Sequence, residues 1–200
     1  YGLICPGIFE MDQSLVMSPW YTGSARAAGR VEGFERLFEL LDEHRDDYDA
    51  VAISSVISTP FHYYGDYFLS DGDMVNPWGG VESMLTHTIS SRYNLPSAHA
   101  PMLESQDVLD IETGVVDPRM AAEIISVSFL QCVLKGLQRS PKILTDEESM
   151  REPGVFTARD VSCLVIPNGC LGLPTLAALE QGIPVIAVRE NTNLMKNDLT

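Results

Sequence analysis

The stretch from Val161 to Thr192 constrains the fold of this chain more than any other. Two short apolar runs, 162–166 and 183–188, flank a segment that suits a helix. Continuous runs rich in valine and isoleucine are typical of strands that are covered on both faces, as in a parallel sheet. Pro174 suits the first turn of the helix and Gly182 suits its end. The stretch therefore predicts a Rossmann-like βαβ unit at the C-terminal end of the chain.

The rest of the chain favours an α/β fold with a mainly parallel sheet flanked by helices. Its 200 residues suit a single domain with a sizeable core, and we predict one domain over 1–200. The apolar runs and helical periods predict strands near 49–57, 95–99, 162–167 and 183–188, and helices near 30–46, 80–92, 117–138 and 174–181. Residues 2–8 suit an edge strand, and the following segment to Trp20 has no clear period and is predicted as loop.

The charge balance is strongly acidic. Thirteen Lys and Arg residues against 28 Asp and Glu residues give a formal net charge of −15 at pH 7. Nucleic acids and anionic membranes are bound through basic surfaces, so this balance argues against both as partners. The sequence has no secretory signal and no apolar span of about twenty residues, and we predict a soluble protein without a transmembrane segment.

The cysteines and histidines do not form a recognisable metal-binding pattern. The four cysteines lack the spacing of a zinc site or a disulfide framework, which favours reduced thiols in a cytosol-like compartment. His62 lies near three aspartates, but their spacing matches no known ligand set. We therefore predict no metal site, and the sequence identifies no cofactor.

A loop of small residues with two arginines spans 22–30, just ahead of the helix near 30–46. Small residues such as Gly23 let the backbone approach a ligand, and Arg26 beside a helix N-terminus favours an anion. No Gly-Lys-Ser/Thr follows, so this is not a phosphate-binding loop of the Walker type. A plain flexible connection is the alternative.

Residues 59–80 are dense in aromatic side chains. A long segment between predicted elements is usually a lid or is disordered, and the aromatic content argues against disorder. We predict an insertion that covers a ligand or contacts a second subunit, which would make the protein a homodimer. Residues 145–160 are acidic and polar and are predicted to form a connector.

The helix near 80–92 opens after Asn76, which suits an N-cap. Gly79 and Gly80 lie near its first turn, and Glu82 is well placed against the helix dipole. Gly79, Gly80 and Glu82 are candidate ligand-binding residues. His99 is predicted at the carboxyl end of the strand near 95–99, with a satisfied structural histidine as the alternative.

Ligands of open α/β sheets bind where the carboxyl ends of the strands leave the sheet. The two loops at that edge of the predicted βαβ unit hold polar and small residues that suit an anionic or polar small molecule. The candidate ligand-binding residues there are Asn168, Gly169, Gly172, Asn191 and Thr192.

Cys170 is the candidate nucleophile, because a thiol near a helix N-terminus has its thiolate stabilised by the helix dipole. Glu190 is a candidate to orient the substrate or move a proton, and His99 is a candidate base if its strand is adjacent. A small turn residue chosen for fit is the alternative for Cys170. If the hypothesis holds, alkylation of the folded protein singles out Cys170 among the four cysteines.

Five pieces of sequence occur together in order: NLPSAHAP at 94–101, DPRMAAE at 117–123, FLQCVLKGL at 129–137, VIPNGCLGLP at 165–174 and IAVRENT at 186–192. In this order they resemble the family called domain of unknown function 3326, found in cyanobacteria, other bacteria and plant or algal plastids. The resemblance implies a cytoplasmic or plastid stromal location and carries no established activity. The family usually has a further glycine-rich N-terminal portion, which together with the start at Tyr1 favours a fragment of a longer protein.

A second resemblance concerns Gly172 and Thr175 followed by the Gly182-Ile-Pro segment. This pattern is similar to the donor site of two-domain glycosyltransferases and sugar-nucleotide epimerases. Those enzymes hold the ribose of the donor with a glutamate five residues before the glycine, where this chain has Ala177. Nucleotide-sugar chemistry is therefore only a second alternative.

The sequence thus favours an enzyme or a small-molecule-binding α/β protein with a cleft at the strand carboxyl ends. The first alternative is a non-catalytic subunit or assembly partner of a larger complex. Fold alone does not decide between them, since one fold hosts many functions.

Overall fold

The computed structural model describes residues 5–70, 73–109, 115, 118, 121 and 126–191. The chain divides into two compact units. The N-terminal unit comprises the described residues of Tyr1–Thr22 and Ala27–Ile143, and the C-terminal unit those of Gly23–Arg26 and Leu144–Thr200. The expectation of one domain over 1–200 stays a prediction.

The fold is mixed α/β. The N-terminal unit contains, in chain order, β1 (Val16–Tyr21), β2 (Ala27–Glu32), α1 (Phe34–Glu43), β3 (Val51–Val56), α2 (Phe61–Phe68), α3 (Gly79–Tyr93), β4 (Ser97–Met102), α4 (Gln106–Leu109) and α5 (Ser126–Leu137). The C-terminal unit contains two single-turn 3-10 helices (Ser149–Arg151 and Ala158–Asp160), then β5 (Leu164–Pro167), α6 (Leu173–Glu180) and β6 (Val185–Val188).

The described strands form three separate two-stranded sheets instead of one mainly parallel sheet. Strands β3 and β4 pair in parallel, as do β5 and β6. Strands β1 and β2 are antiparallel. The prediction of a mainly parallel sheet does not extend to β1 and β2. The short connection 22–26 turns the chain straight back, and two strands joined in this way can only pair antiparallel.

The β1–β2 hairpin was missed by the sequence analysis, which predicted loop up to Trp20 and a helix from residue 30. Strand β1 buries Met17 and Pro19 and exposes Val16 and Trp20, the alternation of a half-buried strand. A proline within the strand masks this signal, since proline usually argues against a strand. Of the predicted edge strand 2–8, residues 5–8 are irregular, and 1–4 lie outside the described residues.

Two glycines allow α3 to pack closely on β2. A Cβ at Gly29 would overlap the side chain of Val81, and a Cβ at Gly80 would overlap the backbone of Ala27. Asn76 Oδ1 accepts hydrogen bonds from the backbone N–H groups of Trp78 (2.8 Å) and Gly79 (3.1 Å), just ahead of and at the first residue of α3. The N-cap is Trp78 and not the predicted Asn76, because the helix begins at Gly79. Helix α3 is thereby fixed against the hairpin on one side and β4 on the other.

The hydrophobic core cluster belongs to the N-terminal unit. Its most enclosed members are Met17, Ile57, Val81, Leu85 and Ile89. Much of the aromatic segment 59–80 joins this core instead of facing solvent. Its buried rings are Tyr64, Tyr67, Phe68 and Trp78, with centroids 5.2 to 5.9 Å apart. The lid or subunit contact expected of this segment stays a prediction.

The C-terminal unit contains the predicted strand, helix, strand unit, with β5 and β6 adjacent and parallel. Gly182 lies just after the end of α6 and has a φ of 69°, a left-handed conformation that favours glycine. Among the described residues of this unit only Thr175 and Ala178 are buried. Large apolar side chains remain exposed on the helix and on both strands, namely Val165, Leu173, Leu176, Leu179 and Ile186.

Candidate functional site

Three polar side chains of the N-terminal unit form a continuous hydrogen-bonded chain centred on His99. Its Nδ1 lies 2.8 Å from Glu82 Oε1. Its Nε2 lies 2.9 Å from Ser55 Oγ. A carboxylate, an imidazole and a hydroxyl therefore follow one another, as in catalytic triads.

The β3–β4 register positions two of these groups. His99 of β4 lies opposite Ile53 of β3, and Ser55 lies two residues further along β3. Because side chains alternate between the two faces of a strand, Ile53 and Ser55 point to the same face as His99. Glu82 comes from the first turn of α3, which packs against β4. Ser55 is the penultimate residue of β3, so the chain ends close to the carboxyl edge of this strand pair.

The chain is largely buried, and its hydrogen-bond partners indicate which atoms of neutral His99 carry the proton. The His99 side chain is 1% exposed and that of Glu82 is 22% exposed. A carboxylate can only accept, so His99 Nδ1–H donates to Glu82 and Nε2 is left as an acceptor. Ser55 O–H then donates to Nε2, while the Met17 sulfur at 3.3 Å from Ser55 Oγ is only a weak alternative acceptor.

A second set of polar contacts holds the loops that leave this edge. The backbone N–H of Thr59 donates to Glu104 Oε2 at 3.3 Å, and Trp78 Nε1–H donates to Thr59 Oγ1 at 2.8 Å. Burial raises the pKa of Tyr64, the Glu104 carboxylate adds to that rise, and a hydrogen bond with Thr59 opposes it. The exit loops of β3 and β4 are therefore tied together by polar groups, and the buried phenol is kept neutral.

The structure brings together two residues that the sequence analysis named separately. His99, the candidate base, contacts Glu82, a candidate ligand-binding residue. Gly80 serves close packing of α3 on β2, and Gly79 is the first residue of that helix with open space at its Cα. Gly80 is therefore explained by packing, whereas a Cβ at Gly79 would meet no atom within 4 Å and its contact with a ligand stays a prediction.

The loop after β5 uses several of its backbone N–H groups internally. Asn168 N–H donates to Val188 O at 3.0 Å, and Cys170 N–H donates to Pro167 O at 3.1 Å. Leu171 N–H donates in turn to Gly169 O at 3.1 Å. The N–H groups of Cys170 and Leu171 thus donate within the loop and that of Asn168 donates to β6, which weakens the argument that they face a bound anion or a developing oxyanion.

The remaining candidates of the C-terminal unit are spread along its loops. Cys170 is half-buried, whereas Cys5, Cys132 and Cys163 are exposed, so exposure alone favours alkylation of the other three. Asn168, Glu190 and Asn191 are exposed, Gly169 and Gly172 are half-buried, and Thr192 lies outside the described residues. Selective alkylation of Cys170 and ligand contacts here stay predictions.

Gly23 and Arg26 lie in the hairpin connection between β1 and β2. The chain continues from there into β2, and α1 begins only at Phe34, so the expected helix N-terminus does not follow this loop. The helix-dipole part of the predicted anion site was therefore wrong.

Ser55 is the functional candidate that sequence reasoning missed. It lies inside a strand, in the run Ile53-Ser-Ser-Val56, without the Gly-x-Ser-x-Gly turn that marks many serine nucleophiles. The available signal was positional: a hydroxyl near the end of one buried strand and a histidine in another. Only the strand register shows that the two meet.

One further concavity lies on the helical surface of the N-terminal unit. It is an open cavity of about 610 Å³ lined by Phe38, His87, Thr88, Ser91 and Arg92. The Arg92 guanidinium already lies 4.6 Å from the Phe38 ring centroid and 3.5 Å from Asp42 Oδ2. Within the described part of the chain, no group of three or more His, Cys, Asp or Glu side chains could hold a metal ion.

The fold and this site define a mixed α/β protein with a carboxylate–imidazole–hydroxyl chain at a parallel strand pair. The chain belongs to the family described as Protein of unknown function (DUF3326), which it matches over residues 1–200, and the family resemblance is thereby confirmed. It is also 34% identical over 125 residues to an uncharacterized lipoprotein from Synechococcus sp.. That match covers 62% of this chain and 33% of the relative. No solved structure matches the chain.

The expected cytoplasmic or stromal location is contradicted by this relative, which is named as a lipoprotein. The inference failed because neither the spacing of the cysteines nor the family resemblance carries information about a lipid anchor. None of the helices among the described residues has the length and apolarity needed to cross a membrane.

Proposed function

We propose that the protein binds a small polar molecule at the carboxyl edge of the β3–β4 pair and acts on it with His99 as general base. The Glu82–His99–Ser55 hydrogen-bond chain is the observation that carries this proposal. Ser55, the last residue of this polar chain, is half-buried, and we propose that a ligand reaches the chain at this end. The edge at which it ends is the usual ligand edge of parallel strands.

The net charge of the chain limits the class of ligand. A formal net charge of −15 repels anions over long range, so a neutral or cationic polar molecule is favoured. This replaces the wider class of anionic or polar ligands suggested by the sequence motifs. Tyr64 and Trp78 of the aromatic segment 59–80 pack beside Thr59, which lies in the loop that leaves β3.

The test is equilibrium dialysis of the whole protein against a cell extract, followed by mass spectrometry of the retained small molecules. Wild-type protein is compared with His99→Asn and with the matched control His87→Asn, which changes an exposed histidine of α3. We expect one or more compounds to be retained by the wild type and the control and lost from His99→Asn.

Unfolding curves of all three proteins show whether His99→Asn is folded in the assay. If folded His99→Asn retains the same compounds at the same level, the proposed binding site is wrong. Retention of nothing by the wild type would also count against it and would favour the assembly role described next.

A second candidate function, assembly with other protein surfaces, is favoured by the exposed apolar residues of the C-terminal unit. Parallel strands are normally covered on both faces, yet Val165 and Ile186, which are paired across the β5–β6 ladder, are 58% and 51% exposed. Leu173 of α6 is 80% exposed. We infer that this unit is one crossover of a larger Rossmann-like layer completed by other protein elements.

Light scattering and cross-linking of Ile186→Glu against wild type test the assembly role. A charge on this face should prevent association without unfolding the N-terminal unit. An unchanged association state would contradict the role. We also propose, from the lipoprotein name of the Synechococcus relative, that the whole protein is anchored to a membrane by a lipid.

A further inference from the structure

The hydroxyl at the end of the buried chain has the surroundings of an activated nucleophile. Ser55 Oγ lies 2.9 Å from His99 Nε2, and His99 Nδ1 lies 2.8 Å from Glu82. We infer that Ser55 is a nucleophile that takes an acyl group from a small carboxylic ester. This inference rests on the proposed function and names its reaction and substrate class.

The three groups have distinct roles in this arrangement. His99 Nε2 is the acceptor that removes the Ser55 proton, because its other nitrogen is committed to Glu82. Glu82 is a positioning residue: it fixes the orientation of the ring and stabilises the imidazolium that forms. Since the His99 side chain is 1% exposed, this charge pair is weakly screened and its attraction exceeds that of a surface pair.

The reaction balances without any co-reactant other than water. Ser55 Oγ bonds to the carbonyl carbon of the ester while its proton passes to His99 Nε2. The bond between that carbon and the alcohol oxygen then breaks, and the leaving alkoxide takes the proton from His99 to depart as the alcohol. Water next attacks the acyl carbon and gives a proton to His99, the bond to Ser55 Oγ breaks, and Ser55 regains the proton as the carboxylic acid leaves.

The position of Ser55 limits the substrate. It lies within a strand and is only partly exposed, so a small acyl group is favoured over a polymer. The adjacent Ser54 is exposed on the opposite face of β3 and is not part of the hydrogen-bond chain. The two serines form a matched pair with the same local sequence and different surroundings.

A small alkyl fluorophosphonate, which is neutral and phosphonylates activated serines, is the probe. The whole protein is treated near neutral pH, and mass spectrometry of its peptides locates the adduct. We expect an adduct on Ser55 in the wild type and in Ser54→Ala, and none in Ser55→Ala. His99→Gln should slow labelling by about 100-fold, the contribution typical of a general base.

Glu82→Asp and Glu82→Gln separate positioning from simple structural support. The shorter carboxylate should retain part of the labelling rate, whereas the neutral amide should slow it by about tenfold or more at equal resistance to urea. A wild-type protein that binds polar molecules in the dialysis experiment but gives no Ser55 adduct overturns the nucleophile and leaves the binding site standing. Equal labelling of Ser54 and Ser55, or labelling that is unaffected in folded His99→Gln, overturns it as well.

Discussion

The described residues include two parallel strand pairs whose surroundings differ sharply. The β3–β4 pair lies in a unit with a continuous core and carries the buried Glu82–His99–Ser55 chain. The β5–β6 pair lies in a unit whose described residues bury only Thr175 and Ala178. The same strand pairing thus supports a closed polar site in one case and an uncovered apolar surface in the other.

A βαβ sequence pattern is therefore not enough to locate a ligand-binding site. A hydrogen-bond chain with defined proton positions needs surrounding protein that excludes water and fixes each rotamer. The N-terminal unit supplies this through α3, the β1–β2 hairpin and the aromatic residues around Trp78. In the C-terminal unit the N–H groups of Asn168, Cys170 and Leu171 donate to backbone carbonyl oxygens, and Glu190 and Asn191 are exposed.

The largest expected effect comes from truncating matched leucines in the two units. Leu85 of α3 is 0% exposed, and Leu85→Ala should lower the free energy of unfolding by about 2–5 kcal/mol. Leu176 of α6 is 54% exposed, and Leu176→Ala should cost less than about 1 kcal/mol. Urea unfolding followed by circular dichroism measures both. A comparable loss in Leu176→Ala would show that the α6 surface is covered in solution, as the assembly role requires.

Neighbouring glycines at the start of α3 give the next largest effect. Gly80→Ala forces a methyl group onto the backbone of Ala27 and should cost about 1–3 kcal/mol. Gly79→Ala meets open space and should be neutral or slightly stabilising. Trp20 and Trp78, the two tryptophans of the chain, both belong to the N-terminal unit, so their fluorescence follows its unfolding. Equal stability of the two variants would contradict the close packing of α3 on β2.

A comparison of two glutamates, each in the first turn of a helix, measures the contribution of the Glu82–His99 hydrogen bond to stability. Glu82→Ala removes the partner of His99 Nδ1, whereas Glu35→Ala in α1 removes a comparable charge from an exposed helix start. Both lose the same favourable interaction with a helix dipole. Glu82→Ala should cost about 1 kcal/mol more, a modest figure because its side chain is 22% exposed. Equal costs in chemical denaturation would mean that the Glu82–His99 bond adds nothing.

The smallest expected effect appears only at alkaline pH. Burial, followed by the nearby Tyr63 and Asp66, raises the pKa of Tyr21 from 10.0 to about 12. The folded state therefore favours the neutral phenol, so this stabilisation is complete below pH 10 and is lost as the pH rises toward about 12. Tyr21→Phe should show a weaker loss of stability between these pH values in urea titrations. A loss identical to that of the wild type would assign the alkaline sensitivity to other tyrosines.

Local patterns were sufficient to predict much of the secondary structure. The apolar runs predicted the β5, α6 and β6 elements and the positions of β3, α3 and β4. Each of these elements could be predicted because its hydrophobic pattern lies within a few adjacent residues. The β1–β2 hairpin was missed, since Pro19 and the five-residue connection gave no hairpin signal. Residues 117–125 of the predicted helix 117–138 fall mostly outside the described residues, and the remainder contains α5.

The candidate site was only half predictable. His99 could be named because a histidine in a buried strand is chemically conspicuous. Its predicted place at the carboxyl end of the strand was wrong, because β4 continues past it to Met102. Its partners could not be named, because a glutamate 17 residues away and a serine 44 residues away reach it only through helix packing and strand register. Cys170 was named as a candidate nucleophile because its local sequence is typical of a loop that leads into a helix. The hydrogen bonds of that loop depend on its folded geometry and could not be predicted from the sequence.

The protonation of the His99 ring tests the central claim most directly. Nitrogen-15 NMR of the histidine side chains, with His99 assigned by comparison to His99→Asn, reports which ring nitrogen carries the proton. We expect neutral His99 to be protonated at Nδ1, which faces Glu82, and its Nε2 to accept a hydrogen bond that Ser55→Ala removes. A proton on Nε2, or a Nε2 signal that is unchanged in Ser55→Ala, would contradict the carboxylate–imidazole–hydroxyl chain on which the proposed function rests.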